Sequence, residues 1–152
     1  MSMFDWSAYQ YVLVPLSGRN HSSFLIVEHT SSRQQGKMYH VDSLMGAHSS
    51  EYVFVVFKWF FARYVADKTG DPNATLEATT SEFKTKLQQT NFIGCGVYLL
   101  YYMGRISTLI ASCQPTSIED DLATWTHSGF NATKTEQYRA LLHQRLHEDM
   151  TP

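Results

Sequence analysis

The chain has 152 residues, 43% of them hydrophobic and 14% aromatic, which is enough apolar material for a buried core and too much for a disordered tail. A formal net charge of -2 supplies no basic field for nucleic acid and no polybasic membrane patch, and no apolar run reaches the roughly 18 residues of a membrane span. Two cysteines, Cys95 and Cys113, are too few for a disulfide framework, and with no signal-peptide pattern at the N-terminus a reducing compartment, cytoplasmic or nuclear, is expected.

Tyr11 to Leu16 is apolar and β-branched and predicts a strand, with Pro15 arguing for an edge or a strand end. A turn over residues 17–20 leads to a short apolar run, Phe24 to Val27, which suits a central strand. After a polar turn, Lys37 to Val41 predicts a third strand, and the short connections suggest an antiparallel meander. Val53, Val56, Phe57, Phe60, Phe61 and Tyr64 then recur at helical spacing within 49–68, with Glu51 in the first turn and Gly70 and Pro72 as stops; the β-branched content of Val53 to Phe57 leaves strand as the alternative, and length favours helix. The threonine-rich stretch that follows predicts one strand around Thr75 to Thr79. Gly96 to Ile110 is apolar nearly all round, which predicts a helix enclosed by the rest of the domain. Two short helices are expected to finish the chain, the first capped by Ser117 and the second by a Thr133–Glu136 capping box, with Tyr138, Leu141, Leu142 and Leu146 as its apolar stripe. The expectation is one α+β domain over residues 1–152, loosely ordered at 1–10 and 149–152, with a small, mostly antiparallel sheet packed on the central helix. The sequons at Asn20, Asn73 and Asn131 read as chance matches.

The run from Gln89 to Leu100 sets Cys95 between Gly94 and Gly96, directly before the apolar helix. A thiol at a helix N-terminus meets the positive end of the macrodipole and unpaired N–H groups, both of which favour the nucleophilic thiolate. Hydrolysis by a thiol also needs a base, an orienter for that base and oxyanion donors. His21 heads the second strand and Asp42 closes the third, so antiparallel neighbours would bring them to one sheet edge. Gln89 would loop back beside the helix N-terminus, joining the Cys95 N–H at the oxyanion.

The ordered pattern His21…Val41-Asp42-Ser43-Leu44…Gln89-x-Asn91-x-x-x-Cys95-Gly96-Val97 resembles the Ulp/sentrin-specific protease family, over roughly residues 10–148. The compact deneddylase branch is the nearest match, because a Tyr-Arg-Ala-Leu-Leu helix follows soon after the cysteine helix. The resemblance implies a papain-like cysteine protease fold. It also implies cleavage of a ubiquitin-like modifier of SUMO or Nedd type after its C-terminal Gly-Gly. His21, Asp42 and Cys95 then fall on the catalytic positions, Gln89 on the oxyanion position, and Asn91 on an Asn the family usually carries. The chain departs from the pattern at Ser22, where the family usually has Trp, and at Gly94, where it usually has Asp. It has only about ten residues where members usually carry an N-terminal segment covering the modifier's tail, which leaves a second copy or a partner chain to complete the channel.

Other readings are fewer. A degenerate relative would bind a modifier without cleaving it. An acetyltransferase of the bacterial-effector type would use the same residue types, but no basic cluster of the inositol-phosphate kind accompanies them. His143 and His147 are four apart on a helix, as in a two-His metal site, yet no third ligand is near in sequence and position 144 is Gln. No metal or cofactor is expected. Cys113 and the remaining histidines, His29, His40, His48 and His127, read as structural or surface positions.

Overall fold

Four strands form one sheet in the order β1 (Tyr11–Ser17), β2 (Ser22–His29), β3 (Gln35–Asp42) and β4 (Glu77–Lys84). They belong to a computed structural model that describes residues 5–18, 20–29, 35–44, 46–73, 75, 77–85, 94–128 and 132–150. The first three strands are antiparallel, as the short turns predict, and Pro15 does lie on an edge strand, where its missing N–H breaks no ladder. β4 pairs with β3 in parallel, an arrangement that needs a long crossover and uses a helix for it.

That helix, α1 (Ser50–Thr69), begins where the Ser49 side chain accepts the Tyr52 N–H and ends at Gly70, whose N–H bonds the Ala66 carbonyl. The strand period of two decides what each face meets. Leu25, Val27, Met38 and Phe61 form one cluster on the α1 side. Phe24, Ile26, Tyr39 and Val41 turn the other way, towards α2 (Cys95–Cys113) and α3 (Glu119–Ser128), where Leu99, Tyr102, Ile106, Ile118 and Leu122 meet them. β2 is therefore covered on both faces, which is why its apolar run is continuous rather than alternating. α4 (Ala132–Asp149) packs against α2.

Two anchors fix the direction of α2. Just past its C-terminal end, the Ile118 N–H donates to the buried Glu28 carboxylate at 3.1 Å, and the Tyr39 hydroxyl donates to the same oxygen at 3.0 Å. Tyr11 ties the same region down through a 2.8 Å bond to the Pro115 carbonyl, and Lys37 pairs with Glu119. Two turns into the helix, Tyr102 lies beside Thr85, the residue after β4; burial pushes the Tyr102 hydroxyl up to about 12, with Thr85 opposing the rise. Since Asp42 is opposite Lys84 in the sheet register, α2 runs from the Asp42 end of the sheet to the Glu28 end. Its 19 residues give a length of about 28 Å, close to the length of β2.

Several expectations are corrected. Within residues 1–10, Trp6 sits edge-on to Phe60 and Phe61, the Tyr64 hydroxyl bonds Asp5 at 2.6 Å, and Lys68 pairs with Asp5. The fourth strand runs later and longer than 75–79, because pairing with β3 sets its ends. α2 is not enclosed all round: Leu100 is 49% exposed, so an apolar surface all round does not here mean burial all round. α4 has 18 residues and already includes Thr133, which removes the expected capping box, and Leu146 on its stripe is 62% exposed. Ser117 does bond the first turn of α3, accepting the Glu119 N–H at 3.3 Å.

Candidate active site

His21 stands just ahead of β2 and Asp42 ends β3, two antiparallel neighbours whose register sets Phe24 opposite Val41. The sheet ladder thus brings together two side chains 21 residues apart. His21 Nε2 lies 2.6 Å from Asp42 Oδ1, and the side chains are 3% and 4% exposed. The carboxylate is held in turn by backbone donors, with the Leu44 N–H on Oδ1 at 2.9 Å and the His48 N–H on Oδ2 at 3.4 Å. A carboxylate oxygen accepts, so Nε2 carries the hydrogen in this contact.

Cys95 is the first residue of α2, half-buried, at the same end of the sheet as this pair. Gly94 enters the helix at φ 88°, a left-handed geometry that glycine adopts without cost. Its carbonyl takes the N–H groups of Val97 and Tyr98, which leaves those of Cys95 and Gly96 without an intrahelical acceptor. A negative charge forming here meets both groups and the positive end of the helix dipole. Cys113, expected as a structural position, is exposed at the far end of the same helix. Gln89 and Asn91 lie outside the described residues. Among the described residues, no three His, Cys, Asp or Glu side chains gather closely enough to hold a metal ion, and no helix is long and apolar enough to cross a membrane.

Sequence reasoning missed a polar layer behind the pair. Ser23 Oγ lies 2.6 Å from His48 Nδ1 and 2.9 Å from His40 Nε2, and His40 Nδ1 reaches Ser50 Oγ at 2.7 Å. The His48 and His21 rings meet edge to face, 5.0 Å between centroids. Burial, the largest cause, holds both His40 and His48 below the ordinary histidine value; Asp42 opposes this and His21 adds to it. One signal was readable: His40 is two residues before Asp42 in the same strand and so shares its face. Arg139 was also missed. Its guanidinium lies where a side chain at position 94 would begin.

No family model matches this chain, and neither does any curated protein. Among solved structures, a de-sumoylating protease is similar with a TM-score of 0.69 at 19% identity, over 93% of this chain and 57% of that one. The SUMO protease Ulp1, with its catalytic cysteine oxidised to a sulfenic acid, follows with a TM-score of 0.49 at 16% identity, over 86% of this chain and 49% of that one. The chain therefore spans less than two thirds of either protein. The first likeness shows the fold: the α+β architecture here, a mixed four-stranded sheet with helices on both faces, is similar to that of a de-sumoylating protease.

Proposed function

We propose that this chain is a cysteine-type isopeptidase or processing protease that cleaves after the C-terminal Gly-Gly of a ubiquitin-like modifier, of SUMO or Nedd type. The observation that carries the reading is the buried 2.6 Å His21–Asp42 pair at the sheet end where α2 presents Cys95. The fold shared with a de-sumoylating protease supports it. Such a thiol enzyme suits the cytoplasm or nucleus, where thiols stay reduced.

In this reading Asp42 fixes the His21 tautomer, and His21 takes the Cys95 proton through Nδ1. The thiolate attacks the glycine carbonyl carbon; a C–S bond forms and the carbonyl electron pair moves to oxygen. That oxyanion accepts hydrogen bonds from the Cys95 N–H and the Gln89 side chain. Collapse breaks the C–N bond as His21 protonates the departing amine. Water, deprotonated by the same imidazole, then hydrolyses the thioester and releases the modifier's carboxylate.

Probes of SUMO, Nedd and ubiquitin type bearing a C-terminal electrophile test this directly. A covalent adduct at Cys95 is expected with at least one probe, lost in Cys95→Ala and in His21→Ala. No adduct with any of the three removes the reading.

Ser22 and Gly94, at positions where the family usually has Trp and Asp, favour a second reading: a relative that binds the modifier without cutting it. Saturable binding that Cys95→Ala leaves unaltered, with no turnover over hours, would select it.

A further inference from the structure

The polar layer behind the His21–Asp42 pair has an architecture that packing alone does not require. Four side chains from separate elements form one chain of contacts: His48 from the loop before α1, Ser23 on β2, His40 on β3 and Ser50 at the start of α1. The loop carrying His48 is itself bound to the pair, since its backbone N–H donates to Asp42 Oδ2. The ring lies against Gly18, in the turn before β2. A Cβ at Gly18 would come 2.6 Å from His48 Nε2, so the turn before β2 has no side chain where the imidazole sits.

We propose that His48 is a positioning residue for the His21–Asp42 pair, and that gain of a proton by its ring disables the pair. This deepens the proposed function and rests on it.

The argument is one of hydrogen inventory and charge. Ser23 has a single hydroxyl hydrogen, which it gives to one ring while accepting from the other. With one or no extra proton on the two histidines, every contact in the chain is satisfied. With both rings charged, both donate to Ser23 and its own hydrogen has no acceptor among them. The charge term acts sooner. A thiolate enzyme needs His21 as imidazolium beside Cys95. A second positive ring 5.0 Å away opposes that charge and competes for Asp42. The proton then moves from His21 to the sulfur, and the nucleophile becomes a thiol. The titratable groups facing His48 are His21 ahead of β2, Asp42 at the end of β3 and, through Ser23, His40; Glu82 on β4 bears on His40. At neutral pH burial keeps His48 uncharged, the state in which the pair is undisturbed.

Alkylation of Cys95 by iodoacetamide tests this without a substrate, in a Cys113→Ser background so that only one thiol reports. The rate is followed from pH 4 to pH 9. For the parent protein a thiolate plateau is expected from neutral pH downwards, ending in an acid fall. His48→Asn keeps a hydrogen-bonding group near the Nδ1 position and cannot gain a charge; it should move that fall down by about one pH unit, or tenfold in reactivity on the falling limb. Gly18→Ala displaces the ring and should lower the plateau itself. A plateau that requires His21 but is superimposable in His48→Asn and the parent overturns this inference and leaves the protease reading standing. A single rise near pH 8.5, indifferent to His21→Ala, overturns both.

Discussion

The Arg139 guanidinium on α4 occupies the space into which a Gly94 side chain would project, one residue ahead of Cys95. Glycine is required twice there, by the 88° φ and by this contact. Gly94→Ala should therefore cost about 1–2 kcal/mol from the left-handed backbone alone, with a further penalty for moving Arg139. Urea unfolding of Gly94→Ala and of Gly94→Ala/Arg139→Ala separates the two. The double variant should recover the steric part only, and equal destabilisation in both backgrounds would show that Arg139 yields freely.

Asp42 accepts from His21 and from two backbone N–H groups, so it fixes the orientation of the imidazole. Asp42→Asn preserves the shape but offers a donor where an acceptor is needed, which favours the wrong His21 tautomer. Turnover of a fluorogenic modifier substrate should fall by about a hundredfold or more at little-changed KM. A loss under threefold would take Asp42 out of the proposed machinery.

Burial lowers His29, His40 and His48 below their ordinary value of 6.5. For each, the unfolded chain binds a proton at higher pH than the folded one does, so unfolding takes up protons as pH falls through 6.5. Stability is full above that value and declines below it, until the folded-state values are reached. Melting temperature should be flat from pH 7 to 8 and drop between pH 6.5 and 5. His29 ring nitrogens are buried without a hydrogen-bond partner among the described residues, and the ring stacks edge-on to Phe61. His29→Phe should remove part of the acid drop; an unchanged melting profile would contradict that assignment.

Glu28 is a buried carboxylate that accepts from the Tyr39 hydroxyl and the Ile118 N–H. Glu28→Ala strands both donors and should destabilise by about 2–4 kcal/mol, whereas Glu28→Gln keeps an acceptor and should cost less. Equal losses in urea unfolding would show that the charge, not the acceptor, matters.

What was legible in the chain was local. β1, β2 and β3 announce themselves as apolar runs between polar turns, and α1 as a helical repeat with a glycine stop. The meander follows from turn lengths, and with it the meeting of His21 and Asp42. β4 was harder, because Glu77, Thr79, Thr80 and Glu82 make a polar edge whose strand character comes from a partner some 40 residues away. Leu100 misled for a related reason: sequence shows that a face is apolar, not whether anything covers it. His48 carried no signal of its own, since Ser23 and Gly18 reach it only after the sheet has formed.

The Glu28 anchor has a mechanical corollary. It holds Ile118, just past one end of a rod whose opposite tip bears the sulfur, and so sets a pivot far from that tip. Over about 28 Å, a swing of about 2° at the pivot carries the tip about 1 Å, a misplacement that can slow a reaction by about a hundredfold. In the proposed reaction, the placing of Cys95 would thus depend in part on a carboxylate at the remote rim of the sheet.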